Sequence, residues 1–410
     1  MNQDFNIEKI RQDFPILSQQ VYGKPLAYLD NAATTQKPRS VLDAITDYYT
    51  TTNSNIHRGT HALSEKASGA YETARKTVRH FLNADQPEEI IFTSGTTASI
   101  NLVAGSFTDK FVSPGDEIII SQMEHHSNLV PWQILCKKTG AILKTIPLQD
   151  SSALSLNAIE ELISDKTKLI AVTYVSNVLG TTNPIKRIVD LAHSHGKPVL
   201  VDAAQAVQHM PVDVHELDCD FLAFSGHKIY AGTGIGVLYA KSKWLESIPP
   251  WKGGGGMINS VSIRKTFYAD PPLKFEAGTP NIAGAISLAA AIDYIQSIGI
   301  EKIAAHEAEV LNYMHDKLSS LPGLTIYGSK SNRHGAISFN LEDVDNYDAG
   351  LILDKMGVAV RTGTHCAEPL MQHYGITGTI RASIGMYNTK EEVDRLYEGL
   401  KKVQAMLQLT

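Results

Sequence analysis

The sequence predicts an α/β fold in which a mainly parallel sheet is covered by helices on both faces. Five short apolar runs have the pattern of buried strands, at 90–92, 118–120, 169–172, 199–201 and 221–224. Helical patterns lie between most of them, at 64–82, 96–106, 128–138 and 184–195. Alternating strands and helices are typical of parallel βαβ units. Continuously apolar strands indicate a sheet that is buried on both faces.

The pattern changes after Pro280, where two helical segments follow each other directly, at 282–298 and 301–321. Strands are then expected near 325–326, 336–339 and 358–360, and a last helix from about 390 to 407. This order predicts a smaller C-terminal α+β domain. The predicted division is an N-terminal segment packing on the small domain (1–25), a large domain (26–280) and the small domain (281–410).

Composition and charge exclude several classes of protein. Of the 410 residues 43% are hydrophobic and 20% are charged, which is ordinary for a globular protein. The balance of 37 basic and 43 acidic residues gives −6 and argues against a nucleic-acid-binding face. No apolar run reaches 18 residues and the first residues are polar, so neither a membrane-spanning helix nor a secretory signal is expected.

The three cysteines, Cys136, Cys219 and Cys366, are sparse and odd in number. Their spacing fits neither a disulfide framework nor a metal site. The sequence therefore predicts no bound metal, and a reducing cytoplasm as the location.

Polar residues follow several predicted strands, at the sheet edge where ligands of α/β proteins bind. Thr96 and Thr97 open a helix after the strand at 90–92. They fit a phosphate site at a helix N-terminus, or a plain N-cap. His125 and His126 follow the strand at 118–120. They are compatible with stacking on an aromatic cofactor, with metal ligation, or with a hydrogen-bonded loop.

Two further strands end in a carboxylate and a lysine. Asp202 follows the strand at 199–201 and is suited to pair with a cationic ring nitrogen or to cap the next helix. Lys228 follows the strand at 221–224. It can form a Schiff base if its pKa falls by some three units, a shift of about 4 kcal/mol. The alternative is a solvated surface lysine.

The small domain adds a cysteine and two arginines. Cys366 follows His365 and stands close to Arg361, an arrangement that can lower the pKa of a thiol. A small buried side chain is the alternative. Arg381 can hold a carboxylate with two hydrogen bonds, or form a surface ion pair of little energetic consequence.

The ordered set of motifs resembles the group II (SUF-type) cysteine desulfurases, in the aminotransferase class V family of fold-type I pyridoxal phosphate enzymes. The resemblance extends over essentially the whole chain. It is carried by the segments 29–35 (LDNAATT), 55–59 (NIHRG), 124–128 (EHHSN), 176–180 (SNVLG), 201–205 (VDAAQ), 225–228 (SGHK) and 275–280 (FEAGTP).

The resemblance implies the fold of that family, with a large domain built on a mainly parallel seven-stranded sheet, and pyridoxal 5'-phosphate as the cofactor. Lys228 would hold the cofactor as a Schiff base, Asp202 would pair with its ring nitrogen, His125 would stack on its ring, and Gln205 would contact its phenolic oxygen. The implied phosphate ligands are Thr96, Thr97, Ser225, His227 and, from the neighbouring subunit of a homodimer, Thr279. The implied substrate-binding residues are Arg381, Asn177, His57 and Arg361.

The implied reaction converts L-cysteine to L-alanine. Lys228 would move the Cα proton, and Cys366 would attack the substrate sulfur and carry it as a persulfide. A sulfur-acceptor protein of the SUF system would receive that sulfur for iron–sulfur cluster assembly, and selenocysteine lyase activity is a possible addition. Thr364 departs from the group II pattern Arg-x-Gly-His-His-Cys-Ala, whose first histidine it replaces, and Ala98 stands where some members have a glutamate.

Three other functions compete with this interpretation. Another class V enzyme, such as a kynureninase-like lyase or an aminotransferase, would use Asp202 and Lys228 without needing Cys366. A nicotinamide dehydrogenase is disfavoured, because the glycine repeat at 232–236 lacks the G-x-G-x-x-G spacing and precedes a strand. A non-catalytic sulfur carrier would need neither Lys228 nor Asp202.

Overall fold

The computed structural model describes residues 5–149 and 152–407. The helices are α1 (Ile7–Gln12), α2 (Arg39–Asp47), α3 (Ala62–Leu82), α4 (Thr96–Phe111), α5 (Val130–Thr139), α6 (Leu156–Leu162), α7 (Ile185–Ser194), α8 (Val214–Leu217), α9 (Ser242–Ser247), α10 (Ile282–Ile298), α11 (Ile300–Ser319), α12 (Asn346–Lys355), α13 (Glu368–Tyr374) and α14 (Lys390–Leu407).

The strands are β1 (Gln20–Val21), β2 (Lys24–Pro25), β3 (Ala27–Tyr28), β4 (Ile90–Thr93), β5 (Glu117–Ser121), β6 (Ile142–Ile146), β7 (Thr167–Thr173), β8 (Val199–Asp202), β9 (Phe221–Ser225), β10 (Gly236–Ala240), β11 (Ile258–Val261), β12 (Thr266–Tyr268), β13 (Leu324–Tyr327), β14 (Ala336–Leu341), β15 (Val358–Ala359), β16 (Arg361–Gly363) and β17 (Thr379–Ser383). The helices predicted at 282–298 and 390–407 coincide with α10 and α14.

The large sheet has seven strands in the order β4-β10-β9-β8-β7-β5-β6. Strand β10 runs antiparallel to both of its neighbours, and every other pair is parallel. The predicted mainly parallel α/β sheet is therefore confirmed. The edge strand β6 has no apolar run that predicts it, because most of its residues are partly or fully exposed.

A second sheet forms the centre of the C-terminal part of the chain. Its antiparallel order is β13-β14-β17-β16, and its core includes apolar side chains from α11, α12 and α14. This is the α+β unit expected after the change of pattern. Strand β17 was not predicted, because the buried polar residues Thr379, Arg381 and Ser383 interrupt its apolar character.

Helix α10 packs against α2 and α3 and contributes to the core of the large sheet. The division of the chain at residue 280 stays a prediction, since this first helix beyond it belongs by packing to the large unit. In the described part of the chain, no single helix is long and apolar enough to span a membrane; α10 and α11 meet that test only as a pair bent by 77°.

The N-terminal segment connects the two units. Arg11 donates to the Tyr387 carbonyl at 2.5 Å and pairs with Glu392 of α14 at 3.1 Å. Phe14 is fully buried, and its ring packs edge-on against Tyr230 and Tyr387. These contacts hold the C-terminal unit against the carboxyl edge of the large sheet, where the candidate site lies.

Candidate active site

A cavity of about 270 Å³ lies at the carboxyl ends of the large-sheet strands, where the C-terminal unit meets them. It brings together most of the residues that the sequence singled out. They are Thr96, Thr97, His125, Asn177, Asp202, Gln205, Ser225, His227, Lys228, Arg361, Cys366 and Arg381. These residues come from distant parts of the chain because parallel strands end at the same edge of a sheet.

Lys228 and Asp202 are two ionisable residues that line the cavity. Burial lowers the pKa of Lys228 to about 8, with a contribution from the nearby Arg381 cation, while Asp202 acts in the opposite direction. Burial raises the pKa of Asp202, opposed by the Ala204 N–H, which donates to its Oδ1 at 2.9 Å. The site thus presents an amine that is readily deprotonated close to a buried carboxyl group.

The tautomer of His125 follows from its hydrogen bonds. Its Nδ1 accepts the backbone N–H of Ser127 at 3.0 Å and lies 3.1 Å from the Ser127 hydroxyl. Burial and the neighbouring Lys228 lower the pKa of His125 to about 3, so the ring is neutral at physiological pH. With Nδ1 accepting, the single ring proton resides on Nε2.

Thr96 and Ser225 form a cluster of donors at the start of α4. The Ser225 hydroxyl accepts the Thr96 N–H at 2.8 Å and lies 2.7 Å from the Thr96 hydroxyl. Gly95 directly precedes Thr96 and has φ +150°. A Cβ added to Gly236 would lie 2.4 Å from the Gly95 Cα. Glycine is required at both positions, because the backbone of β10 approaches the loop that opens α4.

The two arginines of the cavity share one carboxylate, Asp30. Arg361 donates to Asp30 Oδ2 at 2.8 Å, and Arg381 approaches Oδ1 at 3.4 Å. Arg381 also donates to the Asn177 carbonyl at 2.9 Å, and burial lowers its pKa to about 10. The buried Nε of Arg381 has no hydrogen-bond partner in the described residues, which leaves a donor for an incoming acceptor.

Cys366 is exposed on a tight turn between β16 and α13. His365 and Cys366 both have a left-handed backbone, with φ of 55° and 56°. Two hydrogen bonds from the large unit hold this turn: the Asn177 amide donates to the His365 carbonyl at 2.8 Å, and the His126 N–H donates to the Cys366 carbonyl at 2.9 Å. The turn therefore directs a strained cysteine into the cavity.

Thr364 makes a polar contact beside this turn. Its hydroxyl donates to Glu368 Oε1 at 3.0 Å, and the other oxygen of Glu368 pairs with His126. Burial and the positive charge of Arg381 lower the pKa of the adjacent His365 to about 3. Thr364 thus supports the turn through Glu368, whereas the family pattern has a histidine at this position.

His57 and Thr279 line a second cavity instead, together with Arg58 and Gly256. His57 has a left-handed backbone with φ 68°, and its Nε2 lies 3.0 Å from a carboxylate oxygen of Glu72. Within one chain, neither residue lines the cavity that holds Lys228. The expectation that Thr279 serves a neighbouring subunit remains a prediction.

The residues of the first cavity fit a phosphorylated pyridine aldehyde. The Thr96–Ser225 cluster at a helix N-terminus suits the phosphate. The buried Asp202 suits a cationic ring nitrogen, and a lysine of lowered pKa suits an aldehyde. The free Nε of Arg381 leaves a donor for a carboxylate beyond the cofactor.

Two residues of the site were not singled out by sequence reasoning. Asp30, which bridges the arginines, lies within a segment that carried the resemblance but follows no predicted strand. Ser127 bonds to both His125 and the Thr97 hydroxyl, the latter at 2.7 Å. The available signals were its position next to the histidine pair and its place in the segment 124–128, which carried the resemblance.

Comparison with known proteins agrees with this geometry. The family model described as aminotransferase class-V matches residues 27–396. A cysteine desulfurase of Shigella sonnei is 52% identical over 404 residues, covering 98% of this chain and 99% of the relative.

Solved structures are similar over the same extent. The crystal structure of the Escherichia coli cysteine desulfurase CsdA, in an S-sulfonic acid form, superposes with a TM-score of 0.92 at 39% identity, covering 98% of this chain and 99% of that one. The apo structure of a cysteine desulfurase from Thermococcus onnurineus gives the same TM-score and identity, over 98% of both chains.

Proposed function

The chain belongs to the aminotransferase class V family and is a pyridoxal-phosphate-dependent cysteine desulfurase, and we propose that Cys366 takes up the sulfur as a persulfide. The observation that carries this assignment is the position of Cys366, which lines the same cavity as Lys228 and Arg381. No other cysteine does so in the described chain: Cys219 is buried in the core of the large unit and Cys136 lies on α5.

The cofactor would be held by the residues at the sheet edge. Lys228 would bind its aldehyde carbon and Asp202 its ring nitrogen. His125, which is neutral, would lie against the ring. Gln205 would face the phenolic oxygen, and the phosphate would be held by Thr96, Thr97, Ser225 and His227, with Thr279 contributed by a second subunit. When bound, the cofactor supplies an electron sink for the substrate's Cα.

Substrate binding would depend on the two arginines. The carboxylate of L-cysteine would accept from Arg381, whose Nε is free, and from Arg361, displacing part of the contact with Asp30. Asn177 would position the substrate and also holds the turn that bears Cys366. His57 is also proposed to contact the substrate, although within one chain it lines the second cavity. A bidentate guanidinium fixes a carboxylate both in place and in orientation.

Lys228 and Cys366 would then carry out proton and sulfur transfer. The neutral amine of Lys228, favoured by burial, accepts the Cα proton and returns it to carbon. The thiolate of Cys366 attacks the substrate sulfur, so that one S–S bond forms while the C–S bond breaks. The electron pair of the C–S bond remains with carbon, which is protonated, and alanine is released.

The exposed position of Cys366 would allow the persulfide to pass to another protein. We propose a sulfur acceptor of the SUF system as that partner, with iron–sulfur cluster assembly as the destination, and selenocysteine as an additional substrate. A homodimer is proposed because Thr279 lines a separate cavity in the single chain. A reducing cytoplasm is the proposed location, since the reaction depends on a free thiol.

The experiment that tests the proposal measures alanine release from L-cysteine with a reductant present. Cys366→Ala is expected to reduce the rate at least 100-fold, because the attacking thiolate is lost, while the visible absorbance of the bound cofactor stays unchanged. Cys136→Ala is the matched control, with a rate within about twofold of wild type. Undiminished alanine release by Cys366→Ala would contradict the persulfide proposal.

A further inference from the structure

A chain of buried hydrogen bonds leads away from the cavity beneath Gln205. The Gln205 side-chain oxygen accepts from Gln208 Nε2 at 3.2 Å, and the same nitrogen lies 2.9 Å from His209 Nε2. His209 Nδ1 lies 2.6 Å from a carboxylate oxygen of Glu307 on α11. All four side chains are at least 95% buried.

The direction of every bond in this chain is fixed at its two ends. At the cavity end, Gln205 Nε2 lies 2.7 Å from the Ala32 carbonyl, which can only accept. At the far end, the Glu307 carboxylate also accepts, so His209 donates from Nδ1 and its Nε2 must accept from Gln208. Gln208 then has one N–H for His209 and one for the Gln205 oxygen.

This arrangement leaves the amide of Gln205 with one orientation. Its oxygen faces Gln208, its nitrogen faces Ala32 and the cavity, and one N–H remains for a ligand. Rotation of the amide by 180° would place an oxygen against the Ala32 carbonyl and an N–H against another N–H. Both changes would leave buried donors and acceptors unpaired, which disfavours the rotated amide.

Packing holds the histidine that the chain requires. Gly335 lies against the ring with φ +68°, and a Cβ at this position would be 2.2 Å from His209 Nε2. The chain also leaves two buried oxygens, Gln208 Oε1 and Glu307 Oε1, without partners in the described residues. A purely structural core would be served as well by apolar side chains. The polar chain is therefore better explained by its connection to the cavity.

We propose that Gln208, His209 and Glu307 are positioning residues that hold the Gln205 amide with its N–H towards the phenolic oxygen of the cofactor. The inference rests on the proposed contact of Gln205 with that oxygen. A donated N–H stabilises negative charge on the oxygen. It therefore lowers the pH at which the lysine-bound cofactor loses its proton, so the hydrogen-bonded chain tunes the ionisation of the cofactor from as far as Glu307, which lies 98 residues from His209 in sequence.

The test is a pH titration of the visible absorbance of the holoenzyme, without substrate. Gln205→Leu removes the donor and is expected to raise the midpoint by about one pH unit. Gln208→Met and Glu307→Leu are expected to raise it in the same direction by a smaller amount, because each removes or weakens the contact at the Gln205 oxygen and leaves the Ala32 carbonyl as the remaining restraint on the amide. Glu307→Gln keeps an oxygen that accepts from His209 and is expected to retain the wild-type midpoint.

Thr182→Val is the matched structural control. It removes the 2.7 Å hydrogen bond between Thr182 and His334 but none of the hydrogen bonds that link Gln205 to Glu307, so the midpoint should not move. A shift in Gln205→Leu with none in Gln208→Met and Glu307→Leu overturns the positioning role and leaves the proposed function intact. No shift in Gln205→Leu overturns the contact with the phenolic oxygen, and the inference with it. The use of two independent variants keeps the test decisive if one fails to fold.

Discussion

At the scale of single residues, the ionisation of Lys228 illustrates how position creates reactivity. An ordinary lysine is almost fully protonated at neutral pH and cannot attack an aldehyde. Here burial lowers the pKa to about 8, and the positive charge of Arg381 contributes in the same direction. A useful fraction of neutral amine therefore exists near physiological pH before the cofactor binds.

The lowered pKa of Lys228 predicts the pH dependence of the rate at which cofactor-free protein binds pyridoxal phosphate. The rate of capture is expected to rise with pH and to reach half its maximum near pH 8, because only the deprotonated amine reacts. Growth of visible absorbance after mixing measures the rate. Lys228→Ala should show no such band, and a midpoint above pH 10 would contradict the role of burial.

At the scale of elements, Glu276 joins α3, β4 and the segment that carries Thr279. Its carboxylate accepts from Arg75 of α3 at 2.7 and 2.9 Å and from the Tyr71 hydroxyl at 2.9 Å. It also accepts the backbone N–H of Phe92 in β4 at 2.7 Å. This single buried carboxylate ties the segment that carries Thr279 to α3 and β4. It therefore fixes the position of Thr279.

Glu276→Ala is expected to lower the free energy of unfolding by about 3–5 kcal/mol, since it removes the buried carboxylate paired with Arg75 and leaves that buried cation only the partly exposed Glu72 as an acidic partner. Denaturant titration measures the loss. Lys186→Ala is the control, because its ion pair with Asp190 is exposed to solvent and its loss should leave the denaturation midpoint essentially unchanged. Equal effects of the two substitutions would show that the Glu276 network does not anchor these elements.

At the scale of the whole molecule, the separation of the two cavities bears on assembly. Thr279 and His57 line one cavity and Lys228 lines the other. The hairpin of β11 and β12 beside the second cavity exposes Val261, Ile263 and Phe267 to solvent. Exposed apolar side chains close to the cavity that Thr279 lines are consistent with the proposed homodimer.

Mixed dimers test this proposal directly. Lys228→Ala is inactive in both sites, and Thr279→Ala is expected to weaken phosphate binding in both. A hybrid of the two chains regains one complete site if Thr279 serves the opposite subunit, so co-refolded chains should recover up to about a quarter of wild-type activity. Activity no higher than that of the separate variants would show that Thr279 acts within its own chain or not at all.

Much of the fold followed from local pattern. The strands at 90–92 and 118–120 are apolar throughout because both faces of the sheet are covered, and such runs are visible without an alignment. Strands β6 and β17 were not predicted, for opposite reasons. The first is an exposed edge, and the second buries charged and hydroxyl side chains that serve the site.

The sequence by itself determined the α/β class, the smaller C-terminal unit and the residue types of the cavity, since periodicity and strand-end motifs are local properties of the chain. Only the tertiary structure decided which side chains meet. It placed Asp30 between Arg361 and Arg381, separated Thr279 from the Lys228 cavity, and joined Gln205 to Glu307. These contacts link residues distant in sequence, and their geometry depends on how elements pack rather than on any one element.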